Sequence, residues 1–134
     1  MNKQTFLAWA WAGALFILLG AVAQTAASMT PAVGSALDGQ IVFQRKCTSC
    51  HSLTENRYGP SLGAVYGRQA GTAPGYTYSN AFQGQTFRWR EAELDQWLQN
   101  PQAYLKGARM GFRETDPQKR ADVIAYLKSM ALHP

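Results

Sequence analysis

The sequence turns on five consecutive residues, Cys47-Thr48-Ser49-Cys50-His51. Cysteines at i and i+3 lie on one side of a helical turn, and a histidine follows the second directly. C-x-x-C-H is the pattern of covalent c-type haem attachment. Both sulfurs can reach the two vinyl groups along one edge of the ring, and the imidazole projects under the iron. Rival chemistries ask for more than the chain supplies. A structural zinc site takes four ligands, and beyond this run His133 is the sole remaining histidine or cysteine. A thioredoxin-like thiol pair sits in a βαβ surround, and no strand alternation is visible.

Haem iron then needs a sixth ligand or keeps an open site. The candidates are Met29, Met110, Met130 and His133. Met29 lies in a linker, Met130 on the expected buried face of the last helix, and His133 one residue from the chain end. Met110 lies in Lys106-Gly107-Ala108-Arg109-Met110-Gly111-Phe112. Glycines on both sides let the backbone approach a porphyrin without a Cβ clash, and a methionine in so polar a loop has no core to fill.

Around these motifs the pattern is helical. Ser35-Ala36-Leu37-Asp38 has the form of a capping box, and Leu37, Ile41 and Val42, with Phe43, give a stripe ending near Cys47. Residues 52–88 hold eight Gly or Pro and few apolar runs. Arg90 to Asn100 reads as a helix with Leu94, Trp97 and Leu98 on one face, stopped by Asn100-Pro101. Asp116-Pro117 opens a last helix, with Val123, Ile124, Leu127 and Met130 on its buried face and Tyr126 at the edge. The expectation is an all-α domain with long central loops, which need a cofactor to organise them.

Phe6 to Ala23 is an apolar run without charge, ending in Ala21-Val22-Ala23. This reads as a secretory signal peptide over residues 1–23, with an N-terminal membrane anchor through residues 6–23 as the rival. Residues 24–35 read as a linker and residues 36–134 as the domain. Export implies a periplasmic location, soluble after cleavage or anchored in the inner membrane. Sixteen aromatics and 46% apolar residues exclude a disordered chain. A net charge of +5, without a dense Lys/Arg patch, is too little to argue for nucleic acid and suits acidic partners.

Gly39, Phe43, Gly59-Pro60-Ser61-Leu62-Gly63, Gly67-Arg68, Ala73-Pro74-Gly75-Tyr76-Thr77-Tyr78, Trp89, Leu94, Leu98, Asn100-Pro101, Tyr104 and Gly107 through Met110 stand in a telling register with the C-x-x-C-H run. With them the chain resembles class I cytochrome c, more narrowly its mitochondrial-like branch and bacterial relatives. The resemblance implies that fold: first and last helices packed together, through Gly39 and Phe43 against Val123, Ile124 and Tyr126, and long loops wrapping one haem c. It implies that Cys47 and Cys50 hold the haem, that His51 and Met110 ligate the iron, and that the Pro60 carbonyl accepts from the second ring nitrogen of His51. It also implies that Arg68, Tyr78 and Trp89 meet a propionate, since buried carboxylates must be paired.

The chain departs from that family at four places. Trp97 stands for a Tyr near the axial sulfur, which puts one hydrogen bond to the methionine in doubt. Ala108 replaces a hydroxyl residue, Phe82 an Asn and Lys106 a Pro. With both axial positions filled, the expected function is an electron carrier and not an enzyme. Arg45, Lys46, Lys106, Arg109 and Arg113 flank the ligand motifs and resemble a basic docking ring, while Glu91, Glu93, Asp95 and Asp122 lie elsewhere. Expected partners are redox proteins with acidic docking surfaces: a cytochrome bc-type complex, an oxidase or a dehydrogenase. The alternatives are a dedicated subunit of a periplasmic dehydrogenase or, if Met110 is not a ligand, a haem peroxidase or gas sensor.

Overall fold

A computed structural model describes residues 32–132. Its α-helices are Ala36–Lys46 (α1), Glu91–Gln99 (α2), Pro101–Tyr104 (α3) and Pro117–Leu132 (α4), with a 3-10 turn at Asn80–Phe82. Among the described residues there is no strand, and an isolated antiparallel bridge pairs Gln69 with Arg88. The apolar run 6–23, most of the linker 24–35, Met29 and His133 lie outside the described residues. No described helix is long and apolar enough to cross a membrane.

α1 and α4 pack against each other, and a glycine makes the contact possible. A Cβ on Gly39 would stand 1.9 Å from the Asp122 carbonyl oxygen, so the two backbones touch there. One turn on, the Phe43 ring packs on Tyr126, with centroids 5.5 Å apart. This differs from the expected stripe. The buried face of α1 is Gly39 and Phe43, whereas Leu37 is 79% and Ile41 48% exposed. Two residues are about 200° of helical turn, so seating Gly39 on α4 points Leu37 and Ile41 away from it.

The capping box of α1 is half made within the helix. Ser35 Oγ accepts from the Asp38 amide at 3.3 Å. The Ser35 amide donates not to Asp38 but to Asp122 Oδ1 on α4, at 2.8 Å. That buried carboxylate also accepts from Gln118 Nε2 at 2.9 Å. α4 therefore caps the start of α1 and satisfies its own buried charge in doing so. Its own start follows the sequence, with Asp116 Oδ1 accepting from the Gln118 amide at 2.9 Å. Val123, Ile124 and Leu127 are buried as expected, and Tyr126, expected at the edge, is buried with them.

α2 buries Leu94, Trp97 and Leu98, as the periodicity predicts. Asn100-Pro101 ends α2 and also begins α3, which sequence reading missed: Asn100 Oδ1 accepts from the Ala103 amide at 3.2 Å. Arg120 ties α2 to α4. Its side chain is 8% exposed and donates to Asp95 Oδ1 at 2.7 Å and to the Glu114 and Thr115 carbonyls at 3.1 Å. Nearer the far end of α4, Lys128 Nζ meets Glu91 Oε1 at 2.6 Å. The Tyr66 hydroxyl donates to the same carboxylate. Together the Lys128 ammonium and the Tyr66 hydroxyl hold Glu91 down to about 2.

Candidate functional site

A cleft of about 1270 Å³, its open mouth included, runs between the helices and the central loops. Cys47, Cys50, His51, Pro60, Arg68, Tyr78, Trp89 and Met110, the eight residues singled out in the sequence, all line it. Leu94, Leu98, Val123 and Leu127 supply apolar wall from α2 and α4.

The cysteines stand on a turn that continues α1. The Cys50 and His51 amides both donate to the Cys47 carbonyl, at 3.1 and 2.8 Å. His51 Nδ1 lies 2.8 Å from the Pro60 carbonyl oxygen. A carbonyl can only accept, so Nδ1 carries the proton and Nε2 keeps a free lone pair. Burial lowers the His51 pKa against the opposing pull of Pro60, which keeps the ring neutral, as a metal ligand must be. The ring rests on Gly59, where a Cβ would come within 2.0 Å of its Cε1. Burial, then Glu114 and Cys50, push the Cys47 thiol up to about 11. A thiol so hard to ionise does not suit disulfide exchange. Among the described residues no three His, Cys, Asp or Glu gather to hold a metal ion on their own.

A second part of the lining is built for an anion. The backbone bridge sets Arg68 beside Trp89: the Trp89 amide donates to the Arg68 carbonyl at 2.9 Å, and the Gly67 amide to the Trp89 carbonyl at 2.7 Å. Arg68 Nη2 donates to the Ser61 carbonyl at 3.0 Å. Its Nε and the Ser79 hydroxyl are buried without a partner. Burial lowers the Arg68 pKa, with Tyr78 opposing. The Tyr78 oxygen accepts from the Ala73 amide at 3.3 Å, which leaves its proton free for another acceptor. A half-buried cation with an orphaned N–H, in the same lining as two hydroxyls, is matched by carboxylate groups. Ser79 was not legible in the sequence, where nothing marks it among the loop hydroxyls.

At Met110 the structure answers the doubt raised by Trp97. Replacing Tyr by Trp at position 97 does not remove the hydrogen bond to sulfur: Trp97 Nε1 donates to Met110 Sδ at 3.1 Å. Two of the other departures, Phe82 and Ala108, do put apolar groups where polar ones were expected. Phe82 packs edge-on against Trp97, with centroids 5.7 Å apart, and on Tyr78 at 4.8 Å. Ala108 is buried. Trp89 closes the aromatic wall, 5.3 Å from Trp97. Met130 packs against the core instead, so among the described methionines Met110 is the one that lines the cleft.

The Cytochrome c family model matches residues 36–131. This chain belongs to the cytochrome c family. Cytochrome c from Sesamum indicum is 41% identical over 99 residues, covering 71% of this chain and 89% of the relative. Cytochrome c from Euglena viridis is 40% identical over 100 residues, 72% of this chain and 98% of the relative. Among solved structures, cytochrome cH from Methylobacterium extorquens matches with a TM-score of 0.68 at 40% identity, over 72% of this chain and 99% of that chain. As a cytochrome c, the protein carries covalent haem c with its iron and has the class I fold expected from the sequence. The residues present fit that group: two thiols on one turn, a neutral imidazole with a free nitrogen, an apolar wall and a half-buried guanidinium with an unpartnered Nε.

Proposed function

We propose that this cytochrome c is a periplasmic one-electron shuttle whose iron is ligated by His51 Nε2 and Met110 Sδ. Haem c, joined through Cys47 and Cys50, supplies the one-electron couple. The observation that carries the reading is the Trp97 indole donating to the Met110 sulfur. It fixes the thioether in the same cleft as the free nitrogen of His51. The Pro60 carbonyl orients the imidazole, and such an outer partner sets ligand basicity. Arg68, Tyr78, Ser79 and Trp89 would hold the propionates. With His51 and Met110 both given to the iron, the chain would leave no coordination position for a substrate, which suits a carrier and not an enzyme. The apolar run 6–23 with its Ala21-Val22-Ala23 end supports export.

The ferric protein should show the weak near-infrared charge-transfer band of sulfur ligation and bind cyanide slowly. Met110→Ala should abolish the band, speed cyanide binding and raise peroxidase activity. A band that survives in Met110→Ala would overturn the ligand assignment. Fast cyanide binding by the unaltered protein would favour an enzyme or sensor.

A further inference from the structure

Most acidic groups packed among the helices have a partner that explains them. Glu91 meets Lys128, Asp95 meets Arg120, and Asp122 accepts from the Ser35 amide and Gln118. Glu114 is different. It is 9% exposed, yet among the described residues it forms no ion pair. Its Oε1 accepts one neutral hydrogen bond, from the Asp116 amide at 3.1 Å. Arg120 donates to the Glu114 backbone carbonyl but gives its Nε to Asp95, whose charge offsets its own. A carboxylate taken out of water and left without a cation is held at a cost in stability. Nothing in the sequence marks it, since its neighbours Arg113 and Thr115 are polar and both are exposed.

The backbone fixes where that charge lies. The Glu114 amide donates to the Leu98 carbonyl at 2.8 Å. Leu98 lines the cleft, as do Cys47 and Phe112. The Cys47 thiol is pushed up first by burial and then by the Glu114 carboxylate, so the charge is felt at the sulfur that joins the haem. We infer that Glu114 is an electrostatic residue of the electron-transfer reaction: its buried, unpaired charge near the Cys47 attachment favours ferric over ferrous haem and holds the reduction potential down. Loss of one electron adds one positive charge at the ring, and no proton has to move. A fixed anion nearby favours the more positive state. Because Glu114 is buried, salt screens it far less than a surface charge. Glu114 thus opposes Trp97, whose N–H is aimed at the Met110 sulfur. Two unit charges ~12 Å apart, at an effective dielectric of about 20, shift an equilibrium about tenfold.

This role deepens the carrier reading, but it rests on the haem at Cys47 and not on Met110 as a ligand. Glu114→Gln keeps the shape of the side chain and the bond from Asp116, and removes the charge. Poised at one ambient potential, its holoprotein should hold a ferrous-to-ferric ratio about tenfold above that of the unaltered protein, a rise of about 59 mV. The rise should persist at high salt. Asp38→Asn removes an exposed carboxylate near the start of α1, where water and salt screen it, and should leave the ratio within about 1.5-fold. Glu114→Asp keeps the charge and disturbs the packing at least as much. Its ratio should stay within about threefold of the unaltered protein, which separates charge from packing. Ferric-minus-ferrous infrared spectra of the unaltered protein should carry a carboxylate band that moves in Glu114→Asp and vanishes in Glu114→Gln. An unchanged ratio in Glu114→Gln, an equal rise in Asp38→Asn or Glu114→Asp, or a protonated carboxyl band at this residue would overturn the role. Absence of the sulfur band from the unaltered protein would instead overturn the Met110 ligation, and the Glu114→Gln ratio would still decide this charge.

Discussion

Trp97 shows how much a single side chain can carry here. Its indole does the work of a hydroxyl in aiming a proton at Met110 Sδ, while its ring braces Phe82 and Trp89. In the proposed ligation, a dipole with its positive end at the sulfur favours the more reduced iron. Trp97→Phe keeps most of the packing and removes that dipole. The reduction potential should fall by about 20–60 mV, the equivalent of one neutral hydrogen bond, and redox titration would measure it. A rise would overturn the electrostatic role given to this bond, since solvent admitted to the cleft would also lower the potential. By residue type the substitution only put that hydrogen bond in doubt. The indole's reach depends on the pitch of α2 against the Met110 segment, which lie thirteen positions apart, and no local pattern encodes it.

Among the elements, what was legible and what was not divides by the kind of signal. α2 and α4 are driven by periodic apolar residues, and their buried faces followed from spacing. The face of α1 did not, because its closest contact is made by Gly39, which has no hydropathy to read. Placing a methyl there drives it into the Asp122 carbonyl. Gly39→Ala should therefore cost about 2–3 kcal/mol, as overpacking does, seen as a lower denaturant midpoint of the holoprotein. Arg120 was equally hidden, since its partners come from α2 and from the turn before α4. Arg120→Ala leaves the buried Glu114 carbonyl and the partly buried Thr115 carbonyl without this donor and should cost about 2–4 kcal/mol, with the haem spectrum unchanged. The outer tie responds to acid. Glu91 is held down to about 2, so its contribution is full above its usual carboxylate range and fades as the pH falls through 2. The stability gap between the unaltered protein and Glu91→Gln should be open at pH 6 and closed at pH 1.5, by denaturant titration at each pH.

The charge pattern of the whole molecule is less polar than the sequence suggested. Of the acidic residues on α2, Glu91 is paired with Lys128 and Asp95 with Arg120. Asp122 is buried and hydrogen-bonded between the helices. What reaches solvent unpaired is mainly positive: among the described residues Arg45, Lys46, Lys106 and Arg113 form no ion pair. Lys46 sits on the cleft rim itself. Electron transfer to an acidic partner should slow with ionic strength, most steeply up to about 0.15 M, where screening acts over ~8 Å. Lys46→Glu should lower the bimolecular rate and leave the spectrum alone. Stopped-flow rates that are flat from low to high salt would argue for an apolar contact or a fixed subunit.

The touch between Gly39 and Asp122 also fixes an order of assembly. The two helices that meet there are separated by nearly the whole domain, and bringing such distant segments together is among the slowest demands on a chain. Neither can cover its apolar face until the other has been made. A chain emerging N-terminus first thus presents Cys47 to His51 on an unpartnered helix end, open to whatever enzyme attaches the haem. α4 arrives last, after the thioethers can already have formed. The attachment site stays accessible until α4 docks, and the fold then closes over the product.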